Sequence, residues 1–163
     1  MKEYLYQPAT EAQLEARWDI NIAQNPGDDR WAAWRLSIIE DNKRGLLKTF
    51  VVLHEGLPVG EGTLVFSPQC IDLKGWDGLA DGTSTVNVSA LRMDKPHEGR
   101  GYMSKLVKVM EQYAREAGYQ VITIGVEAKE TRNLGIYLHW GYNNFISHAI
   151  EDGELVLCYS KQL

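Results

Sequence analysis

The sequence predicts a single α/β domain, and three observations carry that expectation. The chain has 163 residues, a length that suits one sizeable hydrophobic core. Apolar residues make up 44% and charged residues 24%, ordinary proportions for a globular protein, and no stretch is low in complexity. Strand-like runs and helical stretches follow one another as β-α-α-β-β-β-α-β-α-β-β with no internal repeat and no linker, so residues 1–163 read as one domain.

Each element has a local cause. Residues 3–7 alternate enough to form a first strand. Thr10 to Gln13 is a capping-box pattern and opens a helix that runs to about Asn25, where Pro26 and Gly27 break it. A second helix is predicted over 29–43, with Trp31, Trp34, Leu36 and Ile38 as its apolar surface and Gly45 as its stop. Residues 48–54 form a β-branched run, Gly56 and Pro58 mark a turn, and 59–66 is the next strand. Residues 67–82 hold four glycines or prolines and three aspartates, a loop longer than a hairpin needs. Loops of that length are often functional, and a solvated excursion is the plain alternative.

The strand predicted at 83–93 leads through a glycine-bearing turn into a helix over about 100–117. Met103, Leu106, Val107, Met110, Tyr113, Ala114 and Ala117 recur there at helical spacing and mark a core face. Gly118 ends the helix, and 120–126 is a nearly continuous apolar run of the kind buried on both sides of a sheet. A short helix over about 131–140 and a hairpin of 142–149 and 154–160 across Asp152-Gly153 complete the chain.

Charge and cysteine content narrow the functional classes. A net charge of −5 argues against a nucleic-acid binder that works by neutralising phosphates. It is weakly compatible with a cationic acceptor such as an amine, and an acidic surface kept for solubility is the plainer account. Cys70 and Cys158 are far apart, and no Cys or His spacing resembles a zinc site, so no metal is expected. Two separate thiols fit a reducing compartment. The N-terminus lacks a basic start followed by an apolar run, and no apolar run is long enough to span a bilayer. The expectation is a cytoplasmic protein that engages neither membrane nor nucleic acid.

The most informative segment is the turn Asp94-Lys-Pro-His-Glu-Gly-Arg-Gly-Tyr-Met-Ser-Lys105 between a strand and a helix. Gly99 and Gly101 at a helix start present unpaired backbone N–H groups, which with the helix dipole favour a phosphate. Lys95, His97 and Arg100 add positive charge nearby. The Gly-Lys-Ser/Thr ending of a Walker loop is missing. A second element, Tyr137-Leu-His-Trp-Gly-Tyr142, closes the short helix. Either element alone is a weak signal, since a tight turn and a core-edge tyrosine are both common.

Together, in this order and at this separation, the two segments resemble the GNAT superfamily of N-acetyltransferases. That family's pyrophosphate loop, Gln/Arg-x-x-Gly-x-Gly/Ala, falls on Glu98-Gly99-Arg100-Gly101-Tyr102-Met103 with the adjoining Ser104. Leu91 and Met93 correspond to the hydrophobic residues that end the preceding strand. The later signature, Asn-x-x-Ala-x-x-x-Tyr-x-x-x-Gly-Phe/Tyr, falls on Glu130 to Tyr142 without a break; Tyr137 and Gly141 match it directly. There are departures: Glu98 stands for Gln or Arg, Met103 for a small residue, Glu130 for Asn and Asn133 for Ala. Glu98 is expected to point outward, and Met103 to narrow the space near the phosphates.

The resemblance implies an α/β (α+β) fold, a mixed, mostly antiparallel sheet of about seven strands flanked by four helices. It implies an acetyl-CoA-dependent N-acetyltransferase, acetyl-CoA serving as cosubstrate with no metal, in which an amine of a small molecule or peptide attacks the thioester directly. A non-catalytic acyl-CoA-binding or regulatory domain of the same fold is the alternative, and a homodimer is common in such folds. The implied coenzyme contacts are Leu91, Met93, Glu98, Gly99, Arg100, Gly101, Met103, Ser104 and Asn133. A backbone N–H around Leu91 to Met93 meets the thioester oxygen as it becomes an oxyanion. Tyr137 is the implied general acid for the departing thiolate.

The acceptor must be neutral to attack, and deprotonating a lysine-like amine at pH 7 costs roughly 4–5 kcal/mol. Glu127 is the leading candidate for the base, with Glu61 and His54 beside it, and a water relay past Asn87 and Ser89 is a further route. Trp31, Trp34 and Trp76 are candidate linings for the acceptor site, expected where the first two helices, the 67–82 loop and the last hairpin converge on the sheet.

Overall fold

The computed structural model describes residues 3–70, 73, 76 and 78–163. Its elements are β1 (Tyr4–Pro8), α1 (Glu11–Gln24), α2 (Arg30–Arg44), β2 (Leu47–His54), β3 (Leu57–Val65), β4 (Thr85–Met93), α3 (Tyr102–Glu116), β5 (Val121–Glu127), α4 (Thr131–His139), β6 (Asn144–Glu151) and β7 (Glu154–Gln162). The strands form one sheet in the order β1-β2-β3-β4-β5-β7-β6. Among the described residues only β4 and β5 pair in parallel, and the other pairs are antiparallel. The architecture is therefore the mixed, mostly antiparallel seven-stranded sheet with four helices.

Local chemistry sets the boundaries. The Thr10 hydroxyl accepts from the Gln13 N–H while the Gln13 side chain accepts from the Thr10 N–H, a complete capping box at the start of α1. Gly45 takes a left-handed conformation (φ 73°) and closes α2. α3 begins two residues later than the pattern of 100–117 predicts, because Gly101 is left-handed and cannot continue a helix backwards. Pro96 lies in a short 3₁₀ turn, Lys95–His97, that periodicity does not reveal. β4 begins at Thr85 instead of residue 83: one Asp81 oxygen accepts from the backbone N–H groups of Thr83, Ser84 and Thr85 at 2.8–2.9 Å and holds them in a turn.

The sheet has two apolar faces. On one, Val86, Val88, Ile122 and Ile124 pack against Leu106, Val107, Met110 and Ala114 of α3. On the other, Leu47 and Val65 pack against Leu14 and Trp18 of α1 and Ile38 and Ile39 of α2. The loop over 67–82 contributes Cys70, Leu73, Leu79 and Ala80 to this second core, each 1–4% exposed. Those four bury too much apolar surface for a solvated excursion. Residues 120–126 are likewise not apolar on both faces: Thr123 donates from its hydroxyl to the Leu79 carbonyl at 2.7 Å, and Gly125 is exposed.

Two irregularities shape the sheet centre. The β4–β5 ladder runs from Thr85↔Val121 to Val88↔Ile124 and stops, although β4 continues to Met93 and β5 to Glu127. The strands part beyond that point. On its other side, β4 gains a residue against β3 between the pairs Thr63↔Ser89 and Glu61↔Arg92. Ala90 adopts φ 55° there, a bulge that carries a non-glycine residue into the left-handed region. No helix among the described residues is long and apolar enough to cross a membrane.

Candidate functional site

Side chains alternate along a strand, and a bulge reverses the alternation. Before Ala90, Val86 and Val88 face α3 while Asn87 lies on the α1/α2 side with Thr123, whose hydroxyl accepts from the Asn87 amide at 2.9 Å. After Ala90, Leu91 and Met93 pack against the α3 core and Arg92 turns to the α1 side, where its guanidinium donates to Glu61 at 3.1 Å. Two cavities adjoin this stretch, one for each face of the sheet, and Arg92 borders both.

The first cavity, of about 800 Å³, lies between the end of β4, the start of α3 and α4. Leu91, Met93, Glu98, Gly99, Gly101, Met103, Ser104, Asn133 and Tyr137 line it. Arg100 is exposed and lies outside this lining, and Glu127 belongs to the other cavity. Glu98 and Asn133 are exposed at the rim, whereas Met103 is half-buried.

Gly99 and Gly101 have φ of 73° and 82°, and a Cβ on either would meet no atom within 4 Å. Packing therefore does not demand glycine at these positions; conformation does, and the bare backbone is left facing the cavity. α3 carries no side-chain cap and no acidic residue in its first turn, so its leading N–H groups and dipole favour an anion. Arg132 and His97 add donors in the same lining. Sequence reasoning missed Arg132 because it sits on an exposed helix face where a basic residue is unremarkable in pattern.

Tyr137 is half-buried against Trp140, ring centroids 5.6 Å apart. Burial pushes its phenol above the ordinary tyrosine value, and the Glu130 carboxylate pushes it the same way. The hydroxyl is thus held protonated well past neutral pH.

The second cavity, of about 490 Å³, lies on the α1/α2 face. Trp18 of α1, Trp34 of α2 and Trp76 of the loop supply indole walls, while Glu127, Glu151 and Asp152 bring carboxylates from β5 and the hairpin. Asn87 and Ser89 line its β4 side. Trp31 lies outside the lining; it packs against Trp34 at 5.2 Å and under the Arg92 guanidinium at 4.9 Å. Trp18 and Arg92 were not singled out from the sequence, since an amphipathic helix gives Trp18 a core role and the bulge alone decides where Arg92 points.

The three base candidates part company here. The Glu127 side chain, 43% exposed, reaches the cavity and stands 3.7 Å from the Lys129 ammonium, which is drawn more closely to Glu154 at 2.7 Å. Glu61 is 1% exposed. One of its oxygens accepts from Arg92, and the other accepts from Arg17 at 2.9 Å and Asn21 at 2.7 Å. Arg17 donates in turn to Asp94 and to the Pro58 carbonyl. Glu61 is thus the keystone of a buried network that ties α1 to the end of β4. His54 stacks on Tyr4 at 4.3 Å and meets His97 edge-on, outside both cavity linings. Among the described residues, no cluster of three or more His, Cys, Asp or Glu could hold a metal ion.

Residues 10–142 match the acetyltransferase (GNAT) family. The chain belongs to the GNAT acetyltransferase family. Among curated proteins none matches the sequence. Solved structures share the fold at low identity. The putative acetyltransferase yncA of Salmonella typhimurium, solved with its cofactor acetyl-CoA, superposes with a TM-score of 0.73 at 17% identity, covering 99% of this chain and 94% of that one. The ribosomal-protein-alanine N-acetyltransferase of Brucella melitensis gives 0.71 at 19% identity over 98% and 99%. Arabidopsis thaliana NAA60, in complex with acetyl-CoA, gives 0.73 at 12% identity over 99% of each chain. Within the GNAT fold of this chain, the glycine turn and the parting of β4 from β5 adjoin the larger cavity.

Proposed function

We propose that the protein is an N-acetyltransferase that moves acetyl from acetyl-CoA to a primary amine of a small molecule or peptide. The observation that carries this reading is the pair of cavities, one on each face of the sheet, meeting beside β4 just where β4 and β5 stop pairing. The residues of the larger cavity fit the coenzyme: bare glycine backbone, an uncapped helix start, Arg132 and apolar strand residues suit a diphosphate with a chain beside it. Acetyl-CoA, when bound, supplies the acetyl group as a thioester.

The chain's own residues then divide the work. The β4–β5 ladder ends at Val88, and a backbone N–H around Leu91 to Met93 donates to the acetyl oxygen as negative charge grows there. The Tyr137 phenol gives its proton to the departing sulfur, a role suited to a hydroxyl that stays protonated at neutral pH. The amine nitrogen forms the new bond to the acetyl carbon as the carbon–sulfur bond breaks. Glu127 takes the amine proton, directly or through water held by Asn87 and Ser89. Aromatic walls and a carboxylate-rich rim favour a cationic acceptor. The buried, separate thiols Cys70 and Cys158 suit a reducing compartment, and we place the reaction in the cytoplasm.

The test is release of free thiol from acetyl-CoA by purified protein across polyamines, amino acids, aralkylamines, aminoglycosides and peptides. Thiol release dependent on one class of amine supports the reading. Tight acetyl-CoA binding without turnover across the panel favours the non-catalytic domain.

A further inference from the structure

Gly125 lies inside β5, where a glycine is less stable than an alanine. Three circumstances justify such a residue: a left-handed backbone, a neighbour that leaves no space for a side chain, or the close approach of something else. The first does not apply, because Gly125 is not among the residues with positive φ. The second does not apply either. A Cβ there would stand 3.5 Å from Val156 Cγ1 and 3.9 Å from Cys158 Sγ, both ordinary contacts. Gly60 and Gly62 differ: their Cβ atoms would meet Met93 Cε at 2.8 Å and Leu91 Cδ2 at 2.7 Å, so a core side chain would have to shift to admit them.

What remains is the cavity. Gly125 is exposed, lines the tryptophan-walled cavity, and follows Ile124, the last β5 residue paired with β4. By strand alternation it shares a face with Glu127 two residues on. Its missing side chain leaves a patch of bare strand flanked on β7 by Val156 and Cys158, with Trp34 and Trp76 also lining the space. Among the described residues of the lining the one cation, Arg92, already donates to Glu61, while Glu127, Glu151 and Asp152 bring negative charge to the rim.

Building on the N-acetyltransferase reading, we propose that Gly125 is the seat of the acceptor and sets its size. A flat, broad apolar group lies on the bare strand while its ammonium is directed toward Glu127. The acceptor class is then an aralkylamine, a cationic amine joined by a short linker to an aromatic ring, in preference to slender linear amines that need no such seat.

The experiment measures binding of phenethylamine and n-butylamine by tryptophan fluorescence in the presence of coenzyme A. Wild type, Gly125→Ala and Gly125→Val are compared, with acetyl-CoA affinity as the control. Expected are at least tenfold tighter binding of phenethylamine than of n-butylamine to wild type, and a loss of about fivefold for phenethylamine in the alanine variant. The valine variant should lose more than twentyfold, with acetyl-CoA affinity within twofold throughout. The alanine variant, whose Cβ meets only ordinary contacts, decides the matter if the valine variant does not fold. Equal phenethylamine affinity in wild type and the alanine variant overturns the proposal. So does n-butylamine binding as tightly as phenethylamine, or no binding of either. Thiol release from acetyl-CoA is followed separately: amine binding with the expected discrimination but no thiol release leaves the Gly125 seat standing and removes the acetyltransferase reading.

Discussion

The two cavities beside β4 are built on different principles. The larger one offers backbone at its anion-binding end, from two left-handed glycines, an uncapped helix start and the edge of a parting strand. The smaller one is lined by side chains, indoles and carboxylates among them, drawn from two helices, a loop, three strands and a hairpin. A backbone site tolerates substitution of its side chains, which is why Glu98 and Met103 can stand in the glycine turn without removing its N–H groups. A side-chain site changes its ligand with each substitution. The difference teaches that the coenzyme side should be damaged by changes in backbone conformation or in the Tyr137 phenol, and the acceptor side by changes in charge and volume.

The largest expected break in that contrast comes from Tyr137→Phe. Removing the proton donor should lower kcat by about 10²–10³-fold, with acetyl-CoA affinity within twofold, as measured by steady-state kinetics and calorimetry. An unchanged kcat would take the phenol out of the chemistry. The pH dependence follows in sign: a phenol whose value is raised above 10 stays protonated from neutral pH to about pH 10, so the Tyr137-dependent rate should hold through that range and fall only above it.

Gly101→Val should come next. A β-branched residue at φ 82° is strained and puts a side chain over the bare amides, so acetyl-CoA should bind roughly ten- to a hundredfold more weakly while the acceptor's affinity changes little. Equal coenzyme affinity would place the diphosphate elsewhere. On the acceptor side, Glu127→Gln should reduce kcat/KM about five- to tenfold and leave acetyl-CoA binding intact. Glu61→Gln separates structure from chemistry. Unbalancing a buried pair with Arg17 costs about 3–5 kcal/mol, so this variant should lose thermal stability, and a stable but inactive protein would restore Glu61 as a base candidate.

The smallest effect is expected at Asp81. Its carboxyl is held well below the usual range by hydrogen bonds from Ser84 and from the backbone of Thr83, Ser84 and Thr85. A depressed folded-state value means the contribution is present above pH ~4, the unfolded value, and is lost as the pH falls below it. Asp81→Ala should cost about 1 kcal/mol at pH 7, as a lost cap does, and the difference from wild type should shrink in acid. A constant difference from pH 7 to pH 3 would contradict this.

The same contrast explains what the sequence reveals. The order of all seven strands and four helices is legible because caps, glycine stops and periodicity are local signals. The glycine turn is legible because a backbone site must spend contiguous residues on conformation. The acceptor side is scattered: Trp18, Trp76, Gly125 and Asp152 lie far apart in the chain and share a cavity only after the sheet forms. The sharpest loss of information is at Ala90. Alternation over 83–93 would put Leu91 and Met93 on the same face as Asn87 and Ser89, and one bulged residue exchanges them with Arg92. Nothing in a single sequence marks that bulge, since alanine is not the residue a left-handed position favours.

A crystal structure with coenzyme A bound tests the central claim most directly. The account predicts the diphosphate against the amides of Gly99 to Met103 and the sulfur where β4 and β5 part, within hydrogen-bond reach of the Tyr137 hydroxyl. A thiol that ends on the far side of α4, or a diphosphate away from the glycine turn, would contradict it.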